Sequence, residues 1–208
     1  MNVFVHGLGQ KPSSWNRTLQ GLPAAETDNC PNLISLLKGA DATYVNVYQR
    51  FVDWCHQSDE PLHLTGLSLG GILSLHYTID YPEKVASLCL IGTQCVMPKR
   101  LLQLQSAIFH LLPRRIFPQE GFQKEDFITL TRSMEDLDFR SSLAEIACPT
   151  LIIYGGKDYV NKRASFQLTK AIPKSKLLCI PHAGHEVNED QPLPLANALQ
   201  SFYKDLIQ

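Results

Sequence analysis

Short apolar runs alternate with segments of helical period along this chain. The runs NVFV (residues 2–5), LHLTGL (62–67), VASLCLI (85–91), TLIIY (150–154) and KLLCI (176–180) have the length and apolar character of strands. Between them, residues 41–57, 69–80, 160–171 and 192–207 carry helical periodicity, and Pro82, Pro173 and Pro181 supply breaks. Strands that are apolar on both faces and separated by helices predict βα units around a parallel sheet covered on both sides. Residues 31–37, within CPNLISLL, fit a weaker strand or the opening of a helix equally.

One region departs from the alternation. Residues 97–146 hold no good strand, but KRLLQLQSAIFHLLPRRIF places Leu101, Leu104, Ile108, Leu111 and Leu112 at helical spacing. A polar stretch, QEGFQKEDFITLTRSMEDLDFRSSLAEIA, follows. The block reads as a helical cap inserted between two strands of one domain that spans 1–208. Its leucine stripe fits internal packing or contact with substrate. Lys99, Arg100, Arg114 and Arg115 flank the stripe and are expected to face solvent.

At 208 residues the chain is long enough to bury a substantial core. Its 19 basic and 20 acidic residues leave a net charge of -1, without the basic footprint that nucleic-acid binding requires. The cysteines (Cys30, Cys55, Cys89, Cys95, Cys148, Cys179) are scattered, form no C-x-x-C pair and sit mostly in apolar runs, as reduced thiols do. No run approaches the length of a membrane span, and MNVFVHGLG lacks a charged leader segment. A cytoplasmic protein is expected.

The candidate chemistry lies in Gly66-Leu67-Ser68-Leu69-Gly70, where a predicted strand gives way to a predicted helix. In a G-x-S-x-G turn, glycines two residues to either side let the chain reverse tightly, and the serine hydroxyl stands clear of the sheet. The N–H of Leu69, opening the next helix, is then aimed at an oxygen on which negative charge develops. A serine nucleophile needs a base, and the base needs an orienting carboxylate. Asp158 follows the strand TLIIY and His185 follows KLLCI, both beyond the carboxyl ends of their strands, where an α/β sheet gathers its ligand.

These stretches resemble the α/β-hydrolase superfamily over nearly the whole chain. VFVHGLGQKPSSW resembles its oxyanion loop, GLSLGG its nucleophile elbow, LAEIACPTLIIYGGKDYV the approach to its catalytic acid, and PHAGHEVNEDQP the segment with its catalytic histidine. The resemblance implies a catalytic Ser68, Asp158 and His185, with the N–H groups of Leu8 and Leu69 as the oxyanion hole. It implies a trimmed, mostly parallel sheet of about six strands, helices on both faces and a small helical cap. In the family's strand numbering the expected order is 4-3-5-6-7-8, with a reversal of direction between the strand before His6 and the strand before Ser68.

Rival assignments are weaker. His6 is structural in the resembling proteins. The pair His182 and His185 lacks further ligands for a metal; neither metal nor cofactor is expected. Glu186, Glu189 and Asp190 compete with Asp158 as the acid, but the last two fit a helix N-terminus. His56, His63, His76 and His110 read as surface or boundary residues. The expected activity is hydrolysis of a carboxylic ester or thioester of a small molecule with an apolar acyl or alcohol part. Carbon–carbon bond hydrolysis or elimination, aminopeptidase action, and a non-catalytic ligand-binding role remain open alternatives on the same fold.

Overall fold

The computed structural model describes residues 1–23, 29–117 and 121–206, leaving aside the side chain of Leu101. The expectations for residues 118–120, for residue 207 and for the Leu101 side chain lie outside the described residues. Five strands form one sheet: β1 (Asn2–Val5), β2 (Leu62–Leu67), β3 (Val85–Ile91), β4 (Thr150–Gly155) and β5 (Ser175–Ile180). They run parallel in the spatial order β1-β2-β3-β4-β5. The helices are α1 (Asn16–Leu19), α2 (Leu33–Leu36), α3 (Tyr44–Cys55), α4 (Leu69–Asp80), α5 (Lys99–Leu111), α6 (Lys124–Ser133), α7 (Lys162–Ala171), α8 (Val187–Asp190) and α9 (Pro192–Asp205).

Alternate residues of each strand feed two apolar layers. Val3, Val5, Leu62, Leu64, Leu88, Leu90 and Ile152 face α3, α4 and α7. Phe4, Leu67, Cys89, Ile91, Leu151 and Ile153 face Trp15, Leu19, Leu195, Leu199 and Phe202 of the α1 and α9 side. The period of two therefore decides which helix each strand residue meets. Helix α4 is buried nearly all round, with Leu73 and Leu75 fully enclosed. Helix α3 buries Tyr44, Val47, Phe51, Val52 and Cys55 at helical spacing, and Thr43 caps it by accepting from Asn46 N–H at 3.2 Å.

Residues 31–37 settle as helix. Pro31 has no N–H to give a ladder, Asn32 Oδ1 caps α2 by accepting from Ser35 N–H, and Leu33 and Leu37 are buried four residues apart. So no described strand lies outside β1, and the strand order runs without the expected reversal. The chain changes faces instead: α1 packs with α9, whereas α2 and α3 pack on the side of α4.

The segment between β3 and β4 is pinned at its neck. Met97 N–H donates to Leu137 O at 3.0 Å and Phe139 N–H to Cys95 O at 2.8 Å, around a bridge between Val96 and Asp138. Inside this neck α5 packs on α6. Phe109, Phe117 and Phe127 meet edge to face at centroid distances of 5.3–5.8 Å. The stripe, which fits packing or contact with substrate, does not face this contact; Leu104 and Ile108 instead line the cavity beside Ser68. Leu104, Ile108 and Leu111 are 58%, 46% and 86% exposed, while Ser106 is buried and Leu102 and Phe109 are half-buried. Spacing marked the helix but not which of its apolar faces is covered. Lys99, Arg100, Arg114 and Arg115 are exposed as expected, with Lys99 paired to Asp136 and Arg114 to Glu125 at 2.6 Å.

Leu73 sits at the centre of the layer that joins α4 to the sheet. Leu73→Ala should lower stability by about 3 kcal/mol, measured as a reduced urea midpoint with an unchanged slope.

Candidate active site

The turn from β2 into α4 is held by backbone packed on backbone. A Cβ on Gly66 would fall 2.3 Å from Gly70 O, and one on Gly70 only 2.2 Å from Val5 O. Between them Ser68 takes φ +54° and ψ −113°, a conformation costing a non-glycine residue about 1–3 kcal/mol. Two hydrogen bonds fix it: Ser68 N–H donates to Ile91 O at 2.8 Å, and Ser68 O accepts from Ile72 N–H at 2.9 Å. Leu69 is the first residue of a 12-residue helix, so its N–H lacks an acceptor within the helix.

The loop after β1 faces this turn. Gly7 packs on Leu67, where a Cβ would fall 2.9 Å from Leu67 Cδ2, and Leu8 lines the same cavity as Ser68 and Leu69. His6 is buried beneath, its Nδ1 on Gly7 O at 2.9 Å and its Nε2 accepting from Leu33 N–H at 3.3 Å. Burial holds its pKa below the ordinary imidazole value. Both ring nitrogens are thus occupied, Nδ1 within its own loop and Nε2 in joining that loop to α2, in keeping with the structural part expected of this residue.

His185 and Asp158 meet across the ends of β4 and β5. His185 Nδ1 lies 2.8 Å from Asp158 Oδ2, and Asp158 is 6% exposed. Its other donors come from Asn161: the backbone N–H reaches Oδ1 at 3.1 Å, and Nδ2 reaches Oδ1 at 3.0 Å and Oδ2 at 2.9 Å. Asn161 Nδ2 also stands 3.1 Å from His185 Nδ1. Two N–H groups there converge on one carboxylate oxygen. Burial pushes the Asp158 carboxyl up, but the hydrogen bonds from His185 and Asn161 outweigh it and hold the group below the usual carboxylate range. Gly92, at φ +56°, lets the ring lie close: a Cβ there would fall 2.9 Å from His185 Nδ1.

Ser68, His185 and Asp158, far apart in sequence, line one cavity of about 510 Å³. Its walls include Leu8, Ile72, Met97, Leu102, Phe127 and Met134, with Gln94, Gln105 and Thr131 as polar positions. Of the rival acids, Asp190 does not cap α8; its Oδ2 accepts from Gly184 N–H at 2.6 Å and braces the turn before His185. Glu186 and Glu189 are exposed, as is His182. Among the described residues no three His, Cys, Asp or Glu side chains gather as a metal site. His63 bonds Ser87 at 2.8 Å and His76 bonds Tyr44 at 3.1 Å, both away from the cavity.

Several supporting residues escaped the sequence reading. Gln10 and Asn188 exchange amide hydrogen bonds at 3.1 and 3.2 Å, and Gln10 Oε1 accepts from Gly7 N–H at 3.3 Å, tying the Leu8 loop to the helix after His185. Nothing in sequence joins positions 178 residues apart. Asn161 had a signal, since an Asp with an Asn three residues on is a common turn in which the carboxylate accepts from the later N–H.

A strained serine between strand and helix, with an Asp–His pair on the same cavity at the carboxyl edge of a parallel sheet, defines the alpha/beta hydrolase class. The sequence matches the alpha/beta hydrolase family over residues 3–198, and the chain belongs to that family. The Klebsiella pneumoniae protein RutD, named for carbamate hydrolysis, is 29% identical over 60% of this chain and 59% of its own length. Human monoacylglycerol lipase ABHD6 is 24% identical over 74% of this chain and 58% of its own. The chain thus spans less than two thirds of these relatives. An esterase from Thermogutta terrifontis superposes with a TM-score of 0.75 over 100% of this chain and 90% of that one; at 18% identity this likeness concerns the fold.

The depressed carboxyl of Asp158 carries a sign for stability. Its folded pKa lies below the unfolded value of about 3.9, so the ionised group's contribution is complete above that value and is lost as pH falls through the folded pKa. The stability gap between the native protein and Asp158→Asn, from urea unfolding, should hold between about pH 7 and pH 5 and narrow at about pH 3.

Proposed function

We propose that the protein is a serine hydrolase that cleaves a carboxylic ester or thioester through an acyl-enzyme on Ser68. The observation that carries this reading is the strained Ser68 sharing one cavity with a His185–Asp158 pair joined at 2.8 Å. Ser68 Oγ attacks the carbonyl carbon and His185 Nε2 takes the hydroxyl proton. Asp158 keeps Nδ1 protonated, holds the ring and stabilises the imidazolium. The carbonyl oxygen, now an oxyanion, receives the N–H groups of Leu8 and Leu69, the latter backed by the N-terminus of α4. His185 then gives its proton to the leaving alcohol or thiol. Water, deprotonated by the same imidazole, attacks the acyl-enzyme, and the acid leaves as Ser68 regains its proton.

The insertion acts as a cap in this scheme. Met97, Leu102, Phe127 and Met134 from its neck and helices supply an apolar wall opposite Ile72, suited to an acyl chain. The names of RutD, a carbamate hydrolase, and ABHD6, a monoacylglycerol lipase, are those of carbonyl hydrolysis, which supports the reaction class.

A fluorophosphonate probe should label the native protein, and Ser68→Ala should abolish labelling and lower kcat for an aryl ester by on the order of 10³-fold or more. A folded native protein that resists the probe and turns over no ester or thioester would sink the proposal. Each methylene buried against the apolar wall contributes about 0.8 kcal/mol at most, so kcat/KM should rise by on the order of 10- to 100-fold from acetyl to hexanoyl aryl esters.

A further inference from the structure

Exposed apolar side chains gather at the mouth of the cavity. Leu104 and Ile108 of α5, and Val160 in the turn after β4, line the cavity beside Ser68 and are at the same time exposed. Each borders the cavity on one side and water on the other. Leu111, three residues beyond Ile108 on the same face of α5, and Tyr159, next to Val160, extend the apolar surface outward at 86% and 80% exposure. Two stretches distant in sequence thus build one apolar rim, and nothing among the described residues covers it. A patch of this kind marks a surface that meets an apolar phase or a partner.

Charge chooses between these. Residues 84–119 contain no Asp or Glu, and residues 146–185 contain only Asp158, which is buried. The same two stretches place Arg100 and Arg115 at the ends of α5, and Lys157, Lys162 and Arg163 around Tyr159 and Val160, all exposed. None of these five has an ion-pair partner among the described residues; Lys162 stands 6.0 Å over the Tyr154 ring. The carboxylates of α6 and the turn after it are engaged elsewhere. Glu125 holds Arg114, Asp136 holds Lys99, and Asp126 accepts from Gln123 N–H at 2.7 Å. Glu135 accepts from Gln103 Nε2 at 3.1 Å, in a groove it shares with Arg132. The rim is therefore apolar with a cationic border, although the whole chain carries a net charge of -1. Pairing with a second copy would set cation against cation, whereas an anionic bilayer offers apolar depth and negative headgroups together.

We infer that this rim docks on an anionic phospholipid surface, with Leu104, Ile108, Leu111, Tyr159 and Val160 entering the headgroup layer and the bordering cations meeting lipid phosphates. The docking goes beyond the hydrolase reading and does not need it. Joined to that reading, it turns the cavity toward the bilayer, so that a lipid ester reaches Ser68 without crossing water.

The test is cosedimentation with vesicles of phosphatidylcholine alone and of phosphatidylcholine mixed with phosphatidylglycerol. The native protein should prefer the mixed vesicles by about 10-fold or more, and lose most of that preference at high ionic strength. Leu111→Ser combined with Tyr159→Ser should weaken binding to the mixed vesicles by on the order of 10-fold. Arg100→Gln combined with Arg115→Gln should do so by a similar factor, and only where phosphatidylglycerol is present. These four side chains lie outside the cavity wall, so both variants should keep the native urea midpoint and the native kcat/KM on a water-soluble acetyl aryl ester. A native protein that stays in solution with both vesicles or binds both alike, or folded variants that bind as the native protein does, overturns the inference. Absence of vesicle binding together with a dimer that Leu111→Ser dissolves assigns the rim to a second copy instead. A native protein that binds the mixed vesicles but cleaves no ester supports the docking and overturns the hydrolase reading alone.

Discussion

The contact between the start of α4 and the end of β1 constrains everything around it. Gly70 lies so close to Val5 O and His6 O that no side chain fits between them. That approach draws the loop after β1 over the first turn of α4 and brings Leu8 to the same cavity as Leu69. It also leaves the chain between β2 and α4 no room for a relaxed turn, so Ser68 is held at positive φ. Strain of this kind persists only where the surroundings outweigh it. Here they are the buried faces of α4 against three strands.

A second constraint is the burial of Asp158. A carboxylate out of water must have its oxygens satisfied, and this one takes donors from His185 and twice over from Asn161. The need to satisfy one charge propagates outward, to the amide of Asn161 and from there to Gln94 at the cavity wall. In the other direction the His185 turn is braced by Asp190 on Gly184 N–H, and the Leu8 loop by the Gln10–Asn188 pair. Two polar networks, one charged and one neutral, therefore brace the two loops that flank Ser68 in the cavity.

The insertion has a different character from the sheet beneath it. Its neck is fixed by backbone hydrogen bonds between residues 95–97 and 137–139, while its interior rests on three phenylalanine rings and on exposed ion pairs of small worth. Phe127 reaches from α6 to Gly9, where a Cβ would fall 3.1 Å from its ring. The wall of the cavity thus leans on the loop that carries Leu8, and packing in the insertion bears directly on the geometry at Ser68.

The sequence by itself determined the five strands and the positions of the candidate site residues. The five apolar runs could form only strands of a covered parallel sheet, and the glycines around Ser68 mark a turn that other residues could not make, because both signals come from neighbours within a few positions. Asp158 and His185 stood out as candidates for the same reason, each following its strand directly, and the structure sets them 2.8 Å apart. The structure decided what the pattern of apolar positions left open: that the chain at Pro31 and Asn32 enters α2 instead of an outer strand, that Leu104, Ile108 and Leu111 stay exposed while Phe109 packs, and that Asp190 braces Gly184. The Gln10–Asn188 pair and the relay from Asp158 to Gln94 belong to that second set. Hydrogen bonds across 178 and 67 residues leave no periodicity in the chain, since their partners meet only once the sheet has brought its carboxyl edge together.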